Sequence, residues 1–147
     1  MPASTRPHPA RHQRYLLDTN ICIYVAKHNP PEVRQRFEQH AARDLAMSVV
    51  TLGELRFGAE RSQHRALAMA RLEQLTRVIE VAPLPAEAGE HYGQIRADLQ
   101  QRGCVIGGND LWIAAHARAQ GWVLVTNNGR EFERVPGLQV ENWVRAT

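Results

Sequence analysis

Short apolar runs alternate with amphipathic segments along most of the chain. The runs are three or four residues long, as expected of buried strands, and lie at 15–17, 45–48, 78–81, 122–125 and 138–140. Between them, apolar side chains recur at helical spacing, which predicts helices at 21–26, 31–42, 50–59, 64–76, 86–101 and 111–120. Gly103 and Gly121 follow two of these helices, as glycines at helix C-termini do. The alternation predicts an α/β fold whose central parallel sheet is covered by helices on both faces.

The first 13 residues lack this pattern and contain three prolines with scattered arginine and histidine. We therefore expect a flexible N-terminal extension at 1–13 and a single domain at 14–147. Three of the 18 basic residues lie within residues 1–14, which contain no acid, so 15 basic residues face 15 acidic ones in the remainder. A neutral domain does not indicate the clustered basic surface of a nucleic-acid-coating protein, despite the net charge of +3.

The two cysteines and the apolar runs exclude several other classes of protein. Cys22 and Cys104 lie far apart with no Cys-x-x-Cys pair, so the sequence indicates neither a zinc finger nor a disulfide framework. This cysteine usage fits a reducing compartment, and we expect the protein in the cytoplasm. No apolar run approaches the roughly 18 residues of a membrane span, and we expect no membrane contact.

Three acidic residues stand at the head of a helix or the end of a strand, and ligands of parallel sheets bind beyond the carboxyl ends of the strands. Asp18 follows the first predicted strand, Glu54 lies in the third predicted helix, and Asp110 precedes the last one. Each also has a purely structural explanation. Asp18 suits a helix N-cap, and Glu54 has capping-box spacing from Thr51. Asp110 would be stabilised by the dipole of its helix.

If the three carboxylates converge, their mutual repulsion raises the pKa of at least one of them unless a cation lies between them. Carboxylate oxygens are ligands that suit Mg²⁺ or Mn²⁺. Divalent ions held in this way are typical of enzymes that act on phosphate esters.

Four ordered segments resemble the motifs of PIN-domain ribonucleases and, more closely, of the VapC toxins of type II toxin–antitoxin pairs. They are YLLDTN at 15–20, SVVTLGEL at 48–55, IGGNDLWIAA at 106–115 and VTNNGREF at 125–132. The resemblance extends from Arg14 to about Trp143 and implies a PIN-like three-layer α/β/α domain. It also implies Mg²⁺-dependent hydrolysis of RNA phosphodiester bonds by metal-activated water, with Mn²⁺ as a plausible substitute.

The resemblance assigns roles to individual residues. Asp18 and Asp110 match the first and third acidic positions of the family and would bind the metal. Glu54 matches the second and would complete the cluster or orient a metal-bound water. Asn128 stands where many PIN domains have a fourth acid, so a second metal site is in doubt. The expected supporting residues are Thr126, Asn20 and Glu131, of which Glu131 would replace the missing acid if it turns inward.

Arginines near these motifs are candidates for contact with the RNA backbone. They are Arg130, Arg134, Arg56 and Arg61. Solvated surface charge remains the simpler explanation for any single one of them. None of the seven histidines belongs to a motif, and we expect His116 in the core or on the surface rather than in catalysis.

The resemblance also implies partners. VapC-like toxins are held inactive by a VapB-type antitoxin that covers the acidic pocket, and they form homodimers that assemble into heterotetramers or larger complexes. The chain closely resembles those VapC proteins that cut initiator tRNA in the anticodon loop, so tRNA is the expected substrate. No residue pattern in the chain identifies an RNA target, because such specificity depends on the shape of the binding surface.

Other acid-dependent α/β classes fit less well. A haloacid-dehalogenase phosphatase needs a second aspartate two residues after the first, where this chain has Asn20. A receiver domain needs a lysine near the end of a late strand, whereas the single lysine is Lys27, and a Walker loop is absent. The remaining alternative is a non-catalytic RNA- or partner-binding module on the same fold, and the intact trio of acids argues against it.

Overall fold

The computed structural model describes residues 13–144, which are built around a five-stranded parallel sheet. Its strands are β1 (Tyr15–Leu17), β2 (Leu45–Ser48), β3 (Glu80–Ala82), β4 (Val123–Val125) and β5 (Val140–Glu141). They lie in the order β3-β2-β1-β4-β5, so β1 is central. The chain builds outwards from β1 on one side and then returns to its other side. The direction therefore reverses between β1 and β4, which is where a binding crevice forms in such sheets.

Seven α-helices in the described part of the chain cover the sheet. They are α1 (Thr19–Lys27), α2 (Pro31–Glu38), α3 (Val49–Glu60), α4 (Arg65–Val78), α5 (Glu87–Gln101), α6 (Gly108–Gln120) and α7 (Gly129–Phe132). A short 3-10 helix, Ala42–Asp44, precedes β2. The glycines expected to end α5 and α6 do so, because Gly103 and Gly121 have φ values of 69° and 70°.

The core is divided into two clusters, one on each face of the sheet. Consecutive strand residues point to opposite faces, so the neighbouring residues Leu16 and Leu17 serve different clusters. Leu16 packs in the cluster that contains Ile113 of α6, and Leu17 packs in the cluster that contains Ile21 of α1. All four side chains are almost completely buried. The predicted three-layer α/β/α architecture is therefore confirmed.

Two predicted boundaries are wrong. The helix predicted at 31–42 ends at Glu38, and Ala41 and Ala42, which extended the predicted apolar face, are exposed. The strand predicted at 78–81 begins only at Glu80, because α4 continues through Val78. Apolar residues at the junction of a helix and a strand fit both patterns, so periodicity alone does not place such a boundary.

Differences at the chain ends are smaller. The final strand is Val140–Glu141 rather than 138–140, and the one-turn helix α7 is not predicted by the apolar pattern. The expected extension at 1–13 lies outside the described residues except for Gln13, whose side-chain amide donates a hydrogen bond to the carbonyl of Arg14. Across residues 13–144, no helix has both the length and the apolar character needed to cross a membrane.

Candidate active site

Asp18 lies at the end of the central strand and caps α1. Its Oδ1 accepts a hydrogen bond from the backbone N–H of Ile21 at 3.0 Å, so the expected helix cap is present. Its Oδ2 accepts a hydrogen bond from the Thr126 hydroxyl, which follows the neighbouring strand β4. Burial raises the pKa of Asp18 above its ordinary value, the hydrogen bonds from Thr126 and Ile21 oppose this shift, and the nearby charge of Glu54 adds to it. The carboxylate is thus both a cap and part of a charged cluster.

Thr126 connects the end of β4 to this carboxylate. The side chain is fully buried, and its hydroxyl donates to Asp18 while accepting a hydrogen bond from the backbone N–H of Asn128 at 2.9 Å. The second bond is the local turn contact expected of a threonine at a strand end. The same hydroxyl therefore shapes the loop and orients Asp18.

Glu54 approaches the cluster from α3. Ser48 is the N-cap of this helix, because its Oγ accepts a hydrogen bond from the N–H of Val50 at 3.1 Å. Thr51 is therefore inside the helix, and the capping-box explanation of Glu54 is wrong. Instead, Oε1 of Glu54 accepts a hydrogen bond from the hydroxyl of Thr19 at 2.5 Å. This contact holds Glu54 against the start of α1, next to Asp18.

Asp110 lies in the first turn of α6 and is half-buried. Its pKa is raised to about 6, first by burial and then by the negative charges of Glu131, Glu54 and Asp18. The smaller charge contributions to this shift reflect the proximity of Glu131, Glu54 and Asp18 to Asp110. Acidic residues from four separate parts of the chain therefore meet at one edge of the sheet.

Asn128 stands at the position where the resemblance leads us to expect a fourth acid, and Glu131 is the residue expected to replace it. Asn128 is exposed, and its Nδ2 donates a hydrogen bond to Oε2 of Glu131. Of the three acids that raise the pKa of Asp110 by their charge, Glu131 has the largest effect. Glu131 thus faces the cluster. The spacing from Asn128 to Glu131 is the sequence signal for their contact, and the apolar pattern did not reveal it.

The remaining predicted residues lie around this cluster. Asn20 is exposed, and its backbone N–H lowers the pKa of Asp18 by hydrogen bonding. Arg130 and Arg134 are exposed, and neither forms an ion pair with a residue in the described range. Two arginines of α3 are engaged on that helix: Arg56 pairs with Glu60 at 3.8 Å, and Arg61 lies over the Phe57 ring at 5.4 Å.

The donor chemistry of this edge fits a divalent cation. Four carboxylates contribute hard oxygen ligands, and their mutual repulsion, evident at Asp110, is the kind that a cation relieves. Within residues 13–144, no three His, Cys, Asp or Glu side chains converge closely enough to enclose an ion in their present rotamers. Binding of one ion by three of these carboxylates would therefore require their side chains to move closer together.

A groove of about 670 Å³ leads away from the acidic cluster between α1, α3 and α4. Thr19 and Glu54 line it at the start of α1, and Lys27 lines it at the end of that helix, about 12 Å away. Its apolar walls include Ile23, Leu55, Ala59, Ala68 and Leu72. The groove therefore joins an acidic end to a basic end across an apolar floor.

Comparison with known proteins agrees with this architecture. The PIN domain family matches residues 15–138, and the chain belongs to that family. Within it, the chain is similar to proteins named VapC. It is 46% identical over 130 residues to the tRNA(fMet)-specific endonuclease VapC of Shigella flexneri, which covers 88% of this chain and 98% of that protein. It is 44% identical over 131 residues to Ribonuclease VapC2 of Haemophilus influenzae, which covers 89% and 98%.

Solved structures give the same result. The chain superimposes on VapBC2 from Rickettsia felis, crystallised with a DNA fragment from its promoter, with a TM-score of 0.84 and 36% identity. That match covers 90% of this chain and 100% of the other. The DNA-bound VapBC of Salmonella typhimurium matches with a TM-score of 0.84 and 41% identity, covering 90% and 99%. The expected resemblance to VapC proteins is confirmed.

Proposed function

We propose that this chain is a metal-dependent endoribonuclease and the toxin of a VapBC-type toxin–antitoxin pair. The observation that carries this proposal is the convergence of Asp18, Glu54, Asp110 and Glu131 at the carboxyl edge of the sheet, where the pKa of Asp110 rises to about 6. Membership of the PIN family and similarity to proteins named as ribonucleases support the same activity.

Asp18, Glu54 and Asp110 would hold Mg²⁺ or Mn²⁺. Bound there, such an ion supplies a Lewis acid that activates water and offsets the charge that grows on the phosphate. The chain itself orients the donors. Thr126 and Ile21 each fix one oxygen of Asp18, and Thr19 fixes Glu54. At least one oxygen of each carboxylate keeps a lone pair free for a cation, because a carboxylate accepts about four hydrogen bonds in all.

Glu131 supplies the fourth negative charge of the cluster in place of the neutral Asn128. Asn128 holds Glu131 through the hydrogen bond from its amide, so the two residues act as one unit. Asn20 supports the site through its backbone N–H rather than through its exposed side chain. We therefore assign Asn128 and Asn20 supporting roles around the acids.

Arg130 and Arg134 are the candidates for contact with RNA phosphates. Both are exposed and lie within a few residues of Asn128 and Glu131. Arginine pairs well with phosphate oxygens, because its guanidinium presents several donors in one plane. Their position next to the acids suits a strand whose scissile phosphate lies at the cluster.

The substrate that we propose is tRNA, and in particular initiator tRNA. The relatives in Shigella flexneri and Salmonella typhimurium are named as tRNA(fMet)-specific endonucleases and are 46% and 42% identical to this chain. A protein that cuts this RNA must meet it in the cytoplasm. Cleavage of initiator tRNA, with elongator methionine tRNA left intact, is the outcome that distinguishes a specific nuclease from a general one.

The partner that we propose is a VapB-type antitoxin, with this chain as a homodimer in the heterotetramer or larger complex. Similarity to two solved VapBC complexes supports this assembly. The groove between α1, α3 and α4 is suited to a segment of the antitoxin, because it is apolar along its length and opens beside Glu54. A cationic side chain at that end would lie next to the acids and block access to them.

A test in growing cells examines both parts of the proposal. Expression of the wild-type chain should arrest growth, and RNA from the arrested cells should contain initiator tRNA cut at one position. Co-expression with the cognate antitoxin should restore growth. Asp110→Asn should be harmless, whereas Asp44→Asn, which changes a carboxylate outside the cluster, should remain toxic. Normal growth of cells that accumulate folded wild-type protein would contradict the proposal.

A further inference from the structure

His116 of α6 forms a hydrogen bond with Ser48 inside the core. The distance between His116 Nδ1 and Ser48 Oγ is 2.9 Å, and both residues are 0% exposed. Nε2 of the same ring is buried and has no hydrogen-bond partner among the described residues. An unpartnered polar atom in a core costs free energy that an apolar side chain would avoid. Packing alone therefore does not explain a histidine at this position.

The position of this hydrogen bond supplies one. Ser48 ends β2 and caps α3, the helix that carries Glu54 six residues later. His116 lies on α6, six residues after Asp110. The bond therefore ties together the two helices that present Glu54 and Asp110 to the acidic cluster. Ser48 Oγ is also held at the start of α3, because it accepts a hydrogen bond from the N–H of Val50 at 3.1 Å.

We propose that Ser48 and His116 are positioning residues that set the separation of Glu54 and Asp110, and through it the affinity of the site for a divalent cation. This inference rests on the proposed function. Carboxylates that repel one another drift apart unless the elements that carry them are held together. Residues behind the ligands commonly alter metal affinity by roughly 10- to 100-fold.

The chemistry of the pair allows a sharp choice of variants. Asparagine at position 116 places its amide group where Nδ1 of His116 lies, so His116→Asn keeps a polar partner for Ser48 and removes the unpartnered Nε2. His116→Leu fills similar space but removes the hydrogen bond. Ser48→Ala removes the bond from the other side. Ile95→Val serves as the control, because it shortens a fully buried side chain of α5 in the same core cluster.

The experiment measures the Mn²⁺ dissociation constant by calorimetric titration, together with thermal unfolding and with kcat and KM for tRNA cleavage. We expect Ser48→Ala and His116→Leu each to weaken Mn²⁺ binding about tenfold or more. His116→Asn should stay within about twofold of wild type. Ile95→Val should melt at a lower temperature but bind Mn²⁺ as wild type does. The variant that combines Ser48→Ala with His116→Leu should bind Mn²⁺ about as weakly as either single variant, because each substitution removes the same hydrogen bond. The loss in cleavage should appear in kcat at limiting Mn²⁺ and recover at saturating Mn²⁺.

Two outcomes overturn the inference. If Ser48→Ala and His116→Leu bind Mn²⁺ as tightly as wild type and differ only in melting temperature, the pair is purely structural. If His116→Leu does not fold, Ser48→Ala decides, and its melting temperature reports the N-cap contact to Val50 that it also removes. If His116→Asn fails to restore binding, the hydrogen bond is not the relevant property. Failure of the proposed function is distinguishable, because then the wild-type protein would neither bind Mn²⁺ nor cut RNA.

Discussion

The raised pKa of Asp110 shows that the charged acidic cluster lowers the stability of the fold. Its pKa of about 6 lies above the ordinary value of 3.8, because burial and three neighbouring carboxylates disfavour its charge. The folded protein therefore holds this proton more tightly than the unfolded chain does. The charged group destabilises the fold above pH 6, and the penalty is relieved as the pH falls from 6 towards 3.8.

Replacement of Asp110 by asparagine should accordingly stabilise the metal-free protein while abolishing its activity. At pH 8 in EDTA, we expect Asp110→Asn to raise the free energy of unfolding by about 1–2 kcal/mol, measured by urea denaturation. Cleavage of tRNA should fall at least ~100-fold. Asp44→Asn, outside the cluster, should change neither quantity. A less stable Asp110→Asn protein would show that the carboxylate is not under electrostatic strain.

For His116, the predicted dependence of folding stability on pH has the opposite sign. Burial lowers its pKa from 6.5 to about 4, so the unfolded chain takes up this proton first as the pH falls. The stability due to neutral His116 is complete above pH 6.5 and is lost between pH 6.5 and 4, by up to about 3 kcal/mol. Because Asp110 titrates in the same range with the opposite effect, the test compares wild type with His116→Asn. As the pH falls from 6.5 to 4, the free energy of unfolding of wild type should decrease relative to that of His116→Asn. A constant difference would contradict the prediction.

The positions of the acidic residues were easier to predict from the sequence than the hydrogen bonds that hold them in place. Asp18 and Asp110 were recognisable because each stands where an apolar segment meets polar residues, at the edge where parallel sheets bind ligands. The hydrogen bond from Thr19 to Glu54 spans 35 residues, and that between Ser48 and His116 spans 68. Contacts of that separation depend on strand order, which no local pattern specifies.

We expect the antitoxin to bind in the groove between α1, α3 and α4. Ala68 of α4 lines this groove, whereas Ala70 of the same helix is exposed and does not. We expect Ala68→Trp to fill the groove and weaken antitoxin binding at least ~10-fold, which corresponds to about 1.4 kcal/mol. Cleavage of tRNA should remain unchanged, because the acids are not touched.

Ala70→Trp is the matched control and should bind the antitoxin as wild type does. Surface plasmon resonance with immobilised antitoxin measures both variants under the same conditions. Equal affinity for wild type and Ala68→Trp would place the antitoxin elsewhere on the molecule.

Helices with strong periodicity were predictable, and the one-turn helix α7 was not. The segment at 111–120 is apolar nearly all round, and α6 is indeed central and buried. α7 has only four residues, which is too few for a periodic pattern. Because α7 was not predicted, the direction of the Glu131 side chain was not predicted either. The contact of Glu131 with Asn128 depends on the turn that α7 forms.

The whole molecule explains why these acids meet. β1 and β4 are neighbours although they are distant in sequence, and Asp18 and Thr126 directly follow them. α3 follows β2, the other neighbour of β1, and so brings Glu54 to the same edge. The alternation of strands and helices predicts this class of fold, while the order of strands that assembles the cluster appears only in the structure.

The central claim is that these assembled carboxylates perform metal-dependent cleavage of RNA. Its most direct test is incubation of the purified, antitoxin-free protein with total tRNA and Mg²⁺ or Mn²⁺, beside an EDTA control and the Asp18→Ala variant. We expect discrete fragments with the wild-type protein and none in either control. Absence of cleavage by a folded, metal-loaded protein, or equal cleavage by Asp18→Ala, would contradict it.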